Sequence, residues 1–208
     1  MAGKIFRLLL AGFSVIGYRA GVEEPSYSIV GHIGELEIRR YGRRLAAETT
    51  LSGKTMEETR RAAFQILADY IFGNNKAKTK IAMTAPVAQS SQQISMTAPV
   101  SQQRTAEDWA MKFFLPSDLT VDTAPEPKDR RVKLIIVSEQ DYAVLRFTGR
   151  RDDEAVQSHI ARLKAALSGS AWQSAGEAVA WLHDPPWTLP FLRRNEVAIN
   201  VHRSGVKD

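Results

Sequence analysis

The sequence has 208 residues and no cysteine. Disulfides, thiolate nucleophiles, cysteine-bound zinc, iron–sulfur clusters and a lipidated N-terminal cysteine are therefore excluded. Histidine is scarce: His32, His159, His183 and His202 are the whole set. No two of them have ligand-like spacing, and none sits beside an acid-rich cluster, so no metal is expected. Neither a G-x-G-x-x-G turn nor a G-x-S-x-G elbow occurs. Ser52-Gly53-Lys54-Thr55 has the ending of a phosphate loop, but Glu48 stands where its first glycine belongs. A carboxylate there repels phosphate, and the segment reads as a plain helix start. No catalytic constellation is recognised, and an enzyme is not expected.

Charge of one sign is also in short supply. Lys and Arg number 28 against 23 Asp and Glu, a net charge of +5. Lys4, Arg7 and Arg19 fall in the first 20 residues, which hold no acid, so the rest carries 25 − 23 = +2. Nucleic-acid binding wants a clustered basic face, and none is indicated. Behind Lys4 and Arg7, the apolar run from Leu8 to Tyr18 is shorter than the ~20 residues of a membrane span. It fits the ~7–15 residues of a signal h-region. Residues 1–20 read as a signal-like or membrane-anchoring leader, which implies an exported, periplasmic or envelope-tethered protein. A helix packed on the domain of a cytoplasmic protein is the alternative.

With 44% hydrophobic and 25% charged residues, the remainder has ordinary globular composition. Residues 35–50 predict two short strands around a turn at Tyr41-Gly42, because Leu36 and Ile38 alternate with charged neighbours. Thr55-Met-Glu-Glu58 is a capping-box pattern, and the helix it opens runs to about Phe72 and stops at Gly73. Met56, Ala63, Leu67 and Tyr70 share a face, with Phe64 beside them. The second half repeats the plan: strands at Val132–Val137 and Tyr142–Thr148, acids at Asp152, Asp153 and Glu154, then a helix ending at Gly169. Gly53 to Gly149 and Gly73 to Gly169 are both 96 residues apart, which points to an internal duplication. Further strands are expected at Lys80–Val87 and Gln93–Val100, joined as a hairpin by the polar Ala88–Gln93. Others are expected at Trp109–Leu115, Ala178–Leu182 and Asn195–Val201. Asp122–Asp129, with Pro125 and Pro127, links the halves, about 24–121 and 130–203. The pattern predicts an α+β fold with an antiparallel sheet or barrel and two main helices.

Arginine pairs recur at element ends: Arg39-Arg40, Arg43-Arg44, Arg60-Arg61, Arg130-Arg131, Arg150-Arg151 and Arg193-Arg194. Guanidinium groups at the rim of an apolar cleft would grip a carboxylate bidentately; elsewhere they form solvated faces.

Three strings together are distinctive. They are Glu37-Ile-Arg-Arg-Tyr-Gly42, the pair Ile-Ala-Met-Thr-Ala-Pro-Val and Ile-Ser-Met-Thr-Ala-Pro-Val, and Asp184-Pro-Pro-Trp-Thr-Leu-Pro-Phe-Leu-Arg-Arg-Asn-Glu196. From about Glu24 to Val201 the chain resembles the SOUL heme-binding family. The resemblance implies a distorted antiparallel β-barrel flanked by two helices with pseudo-two-fold symmetry, similar to gyrase-inhibitor-like effector-binding domains. It also implies noncovalent binding of heme or another tetrapyrrole. Arg61 matches a basic residue that meets the heme propionates, whereas Asp69 and Thr188 stand where two lysines would be. Arg40 takes the place of a histidine proposed as axial ligand in one branch; arginine stays protonated and offers charge, not coordination to iron. His183 replaces a tyrosine and is the remaining candidate for an axial ligand. The expected ligand-binding set is Arg61, Phe64, Met56, Arg40, Trp187 and Phe191, in a monomer. A module for another amphipathic small molecule, or an enzyme using the same cleft, is the alternative reading.

Overall fold

The computed structural model describes residues 23–53, 56–82, 84–92, 107–184 and 188–204. The leader, the Gln93–Val100 string, Met83, Pro185, Pro186 and Trp187 lie outside the described residues.

Both helices form where local sequence rules place them. α1 (Met56–Ile71) buries Ala63, Ile66, Leu67, Tyr70 and Ile71 and turns Arg61, Gln65 and Asp69 to solvent. It ends in a Schellman arrangement: the Gly73 amide donates to Tyr70 and the Asn74 amide to Asp69. Gly73 supplies the positive φ, +112°, that this ending needs. α2 (Asp153–Leu167) is capped by Asp152, whose carboxylate accepts from the Ala155 amide, with Asp153 and Glu154 in its first turn.

The ten strands are β1 (Tyr27–Ile33), β2 (Leu36–Tyr41), β3 (Arg44–Gly53), β4 (Val87–Gln92), β5 (Glu107–Phe114), β6 (Lys133–Val137), β7 (Gln140–Phe147), β8 (Trp172–Ser174), β9 (Val179–Leu182) and β10 (Asn195–Arg203). They form one antiparallel sheet in the order β1-β2-β7-β10-β9-β4-β5-β3-β6, with β8 added on β10. Apart from β1 and β8 the order is palindromic. β2-β7-β10-β9 mirrors β6-β3-β5-β4, and the two halves meet where β4 pairs with β9. Each half lends its first strand to the other: β2 lies against β7, and β6 against β3. The 96-residue offset survives to the level of elements, since shifting β3 and α1 by 96 lands on β7 and α2.

Two expectations are corrected. The sheet stays open instead of closing into a barrel, with β1 and β6 as its edges. Among the described residues of Lys80–Pro86 none belongs to one of the ten strands; β4 begins at Val87 and runs through the polar Ala88–Gln92 that was expected to join two strands. There β5 and β9 offer backbone hydrogen bonds on both sides, and a central ladder position outweighs a poor strand composition. The 122–129 linker is fastened to α1 and the turn after it: Tyr70 Oη donates to Pro125 O at 2.7 Å, and the Lys76 amide to Glu126 O at 2.9 Å.

Strand alternation assigns every side chain to one of two faces. On one face α1 and its core of Leu67, Tyr70, Met111 and Phe113 cover β3 and β5, while α2 with Leu163, Leu145 and Ile199 covers β7 and β10. Among the described residues the other face carries no helix. Tyr41, Ala46, Ala88, Phe114, Val144, Trp181 and Ala198 pack there against one another.

Candidate ligand-binding site

Phe64 lies on α1 between buried Ala63 and exposed Gln65. It leans edge-on against Phe113 of β5, ring centroids 5.4 Å apart, and remains 42% exposed. An exposed phenylalanine anchored by one ring contact is available surface rather than core. The segment after β9 offers more of the same kind: Leu189, Phe191 and Leu192 are exposed, Phe191 to 69%, on and beside a single 3₁₀ turn (Pro190–Leu192). Proline at its first position and the Gly149 amide, which donates to Pro190 O at 2.9 Å, hold that turn.

Arginines connect the helix to this loop. Arg60 pairs with Asp153 at the start of α2, at 3.2 Å. Arg151, two residues earlier, donates to Asp184 O at 2.8 Å, and Arg193 donates to Thr188 O at 2.7 Å. Burial, then the repulsion of Arg193 and Arg60, pushes Arg151 down to about 10. Repulsion of that kind requires three guanidinium groups to share one region. They share it where α1, the start of α2 and the 184–193 loop converge. Arg61, the next residue on α1, is exposed and makes no ion pair among the described residues.

The profile of the SOUL heme-binding protein family matches residues 22–200. The chain belongs to the SOUL family. Heme-binding protein 1 of Xenopus tropicalis is 26% identical over 161 residues, covering 77% of this chain and 80% of that protein. Among solved structures, the crystal structure of the EcmrR C-terminal domain is similar with a TM-score of 0.60 at 7% identity. That match covers 85% of this chain and 98% of that one. A hydrolase from Listeria innocua is similar with a TM-score of 0.55 at 13% identity, over 81% and 92% of the two chains. At such identities these structures speak to the fold alone.

Within this SOUL chain the expected site residues do not all meet. Arg61 and Phe64 lie on α1, which also carries Arg60, and Arg60 and Arg193 both act on the charge of Arg151. Met56 opens α1, but its side chain, like Trp187, lies outside the described residues. Arg40 is a correction. β2 crosses into the α2 half of the sheet, so β7, β10, β9 and β4 separate it from the strands under α1. There Arg40 donates from Nε and Nη2 to the two oxygens of Asp141, both at 2.8 Å, which holds it protonated in a local ion pair. Thr188 is fully buried, and Asp69 accepts from Gln65, so neither replaces a ligand-facing lysine.

His183 is turned inward. Its Nε2 is 3.0 Å from Glu196 Oε2, and its Nδ1 lies 3.7 Å from Glu24, too long for a hydrogen bond. Glu196 is itself wholly buried and is met by Arg39 through both terminal nitrogens, at 3.0 and 3.2 Å, and by Arg194 at 3.0 Å. Burial alone would raise the Glu196 carboxyl. His183 and Arg39 reverse this and hold it well below the usual carboxylate range. Glu37 at 2.6 Å from Arg39, and Glu24 at 3.0 Å from Arg194, complete the network. Sequence reading missed it. Its one signal is Glu196, the single charge in Asn-Glu-Val-Ala-Ile-Asn-Val, where alternation puts it beside Ala198 on the helix-free face.

Proposed function

We propose that the chain binds heme or a related tetrapyrrole noncovalently on the surface formed by α1 and the 188–193 loop. The observation that carries this reading is the convergence of Arg60, Arg151 and Arg193 beside exposed Phe64 and Phe191. A tetrapyrrole is flat, apolar in its body and anionic at its propionates. Exposed rings on two elements suit the body, and the positive charge gathered around Arg151 suits the carboxylates. Arg61, exposed and without an ion pair among the described residues, is the second anchor for a propionate. Family membership and the likeness to Heme-binding protein 1 support the same ligand class.

The residues present fit the macrocycle by burial and charge. An axial bond is not part of this reading, because His183 is engaged by Glu196 and His159 stacks on Phe147 with ring centroids 4.0 Å apart. Bound heme would contribute its iron chemistry; the chain contributes apolar contact, propionate pairing and shielding from water.

A hemin titration of the full chain, read in the Soret band, tests this. One saturating transition is expected. Arg61→Ala should weaken it up to about fivefold, as an exposed ion pair does. Phe64→Asp should weaken it about tenfold or more, by losing apolar contact and placing a carboxylate against the propionates. Absence of saturation, or titrations unchanged in both variants, rejects the reading.

A further inference from the structure

Two residues in front of β1 tie the halves of the molecule together. Glu23 is fastened to the first half: its carbonyl oxygen accepts from the Ala85 amide and its carboxylate from the Ser117 amide, both at 2.9 Å. Glu24 is fastened to the second half, where its carboxylate oxygens accept from Arg194 Nη1 at 3.0 and 3.2 Å. One of them also lies 3.7 Å from His183 Nδ1, a nitrogen closed off from solvent that has no hydrogen-bond partner among the described residues. His183 first, then Arg194, holds the Glu24 carboxyl below the usual carboxylate range against the effect of burial, so it is charged at neutral pH. Residues 23–24 thus form a strap from the segment after β5 to the residue before β10.

The partners of Glu24 are the neck of the 188–193 loop. The chain leaves β9 through His183 and Asp184, and it re-enters the sheet through Arg194. The His183 amide donates to Arg194 O at 3.3 Å, and the Arg194 amide donates to the Asp184 carboxylate at 2.6 Å. Arg194 therefore closes the neck with its backbone and reaches the strap with its side chain. Asp184 extends the connection, since its carbonyl oxygen takes Arg151 at 2.8 Å. Glu196 also accepts from Arg194, at 3.0 Å, but it is already shared with Arg39 and His183. Without Glu24, a guanidinium whose side chain is 14% exposed is left with part of one overcommitted carboxylate.

We propose that Glu24 is a positioning residue for the ligand loop: through Arg194 and His183 it holds the neck of the 188–193 loop and couples the strap at 23–24 to occupation of the tetrapyrrole surface. Its bearing on the ligand rests on the tetrapyrrole reading, whereas its hold on the loop does not. The coupling runs both ways, because a ligand that needs the loop in place must in turn secure whatever holds it there. A strap that merely stapled the two halves would act differently. Its loss would loosen the whole sheet and leave the loop no worse off than the helices.

Hydrogen exchange of the full chain, followed by mass spectrometry without any ligand, tests the hold on the loop. In Glu24→Ala the amides of residues 188–194 should exchange about fivefold faster, the loss of one partly exposed ion pair, while those of α2 stay unchanged. Glu24→Gln keeps an acceptor for Arg194 without the charge and should fall between, which also serves if Glu24→Ala does not fold. Hemin should bind Glu24→Ala about threefold more weakly than wild type, because the loop is in place for a smaller fraction of the time. Hemin should also slow exchange of residues 23–28 in wild type and leave it unchanged in Glu24→Ala. Unchanged loop exchange, faster exchange spread evenly over the chain, or equal hemin affinity of the two proteins overturns the proposal. If hemin does not saturate wild type while loop exchange still rises in Glu24→Ala, the tetrapyrrole reading falls and the hold on the loop stands.

Discussion

Replacing Glu196 with glutamine removes one negative charge and leaves nearly the same volume in the middle of the sheet. Arg39, whose side chain is 4% exposed, then loses its bidentate partner and keeps Glu37 at 2.6 Å and the Tyr41 hydroxyl at 3.4 Å. The glutamine amide can present one oxygen to the guanidinium, but its NH₂ group meets a donor where an acceptor stood. Breaking a buried ion pair on one side costs about 3–5 kcal/mol, and the surviving Glu37 contact places this case at the lower end, about 3 kcal/mol. At about 2–4 °C per kcal/mol for a domain of this size, the melting temperature should fall by roughly 6–12 °C. Acid supplies a second, sharper readout. The Glu196 carboxyl sits below its ordinary 4.5 in the folded state, so the unfolded chain takes up the proton first. Its contribution is therefore fully present above about pH 4.5 and is lost as pH falls toward the depressed folded value. Urea unfolding at several pH values should show wild type and Glu196→Gln far apart at neutral pH and converging in acid. A neutral-pH difference under about 1 kcal/mol, or a gap that does not narrow in acid, would refute the reasoning.

Other perturbations address the linker, the helix stop and the ligand surface. Tyr70→Phe removes the 2.7 Å bond to Pro125 O and should destabilise by about 0.5–1.5 kcal/mol in chemical denaturation, while an unchanged midpoint would mean the linker is not fastened there. Gly73→Ala puts a side chain at φ +112° and should cost about 1–2 kcal/mol, measured the same way; a stabilised variant would contradict the helix-stop assignment. Phe191→Ser alters a residue that is 69% exposed, so stability should move by less than about 0.5 kcal/mol while hemin affinity drops. If stability falls and affinity holds, Phe191 belongs to the fold and not to the ligand surface.

Much of the fold was legible in residue order because the signals are local. The capping pattern at Thr55, the stripe through Ala63, Leu67 and Tyr70, and Gly73 specify α1 from within a few turns of chain, and Asp152 and Gly169 do the same for α2. The 96-residue offset exposed the duplication because both copies keep their strand–helix spacing. The three motif strings carried the family.

What only the tertiary structure decided are the encounters between distant segments. Nothing near Leu36 announces that β2, besides its hairpin partner β1, pairs with β7 more than 100 residues later. Strand alternation sorts side chains into two faces but does not choose a neighbouring strand. That exchange separated Arg40 from α1 and gave it to Asp141, and it brought Arg39 to Glu196 across the sheet. It also decided which arginine pairs were consumed locally and which converged. Arg131 is taken by Asp129 and Arg150 by Asp152, while Arg60, Arg151 and Arg193 meet at one corner. A sequence lists its charges with their signs. Whether a charge is paired, crowded by its like or buried against aromatic rings depends on distances that exist only once the chain has folded.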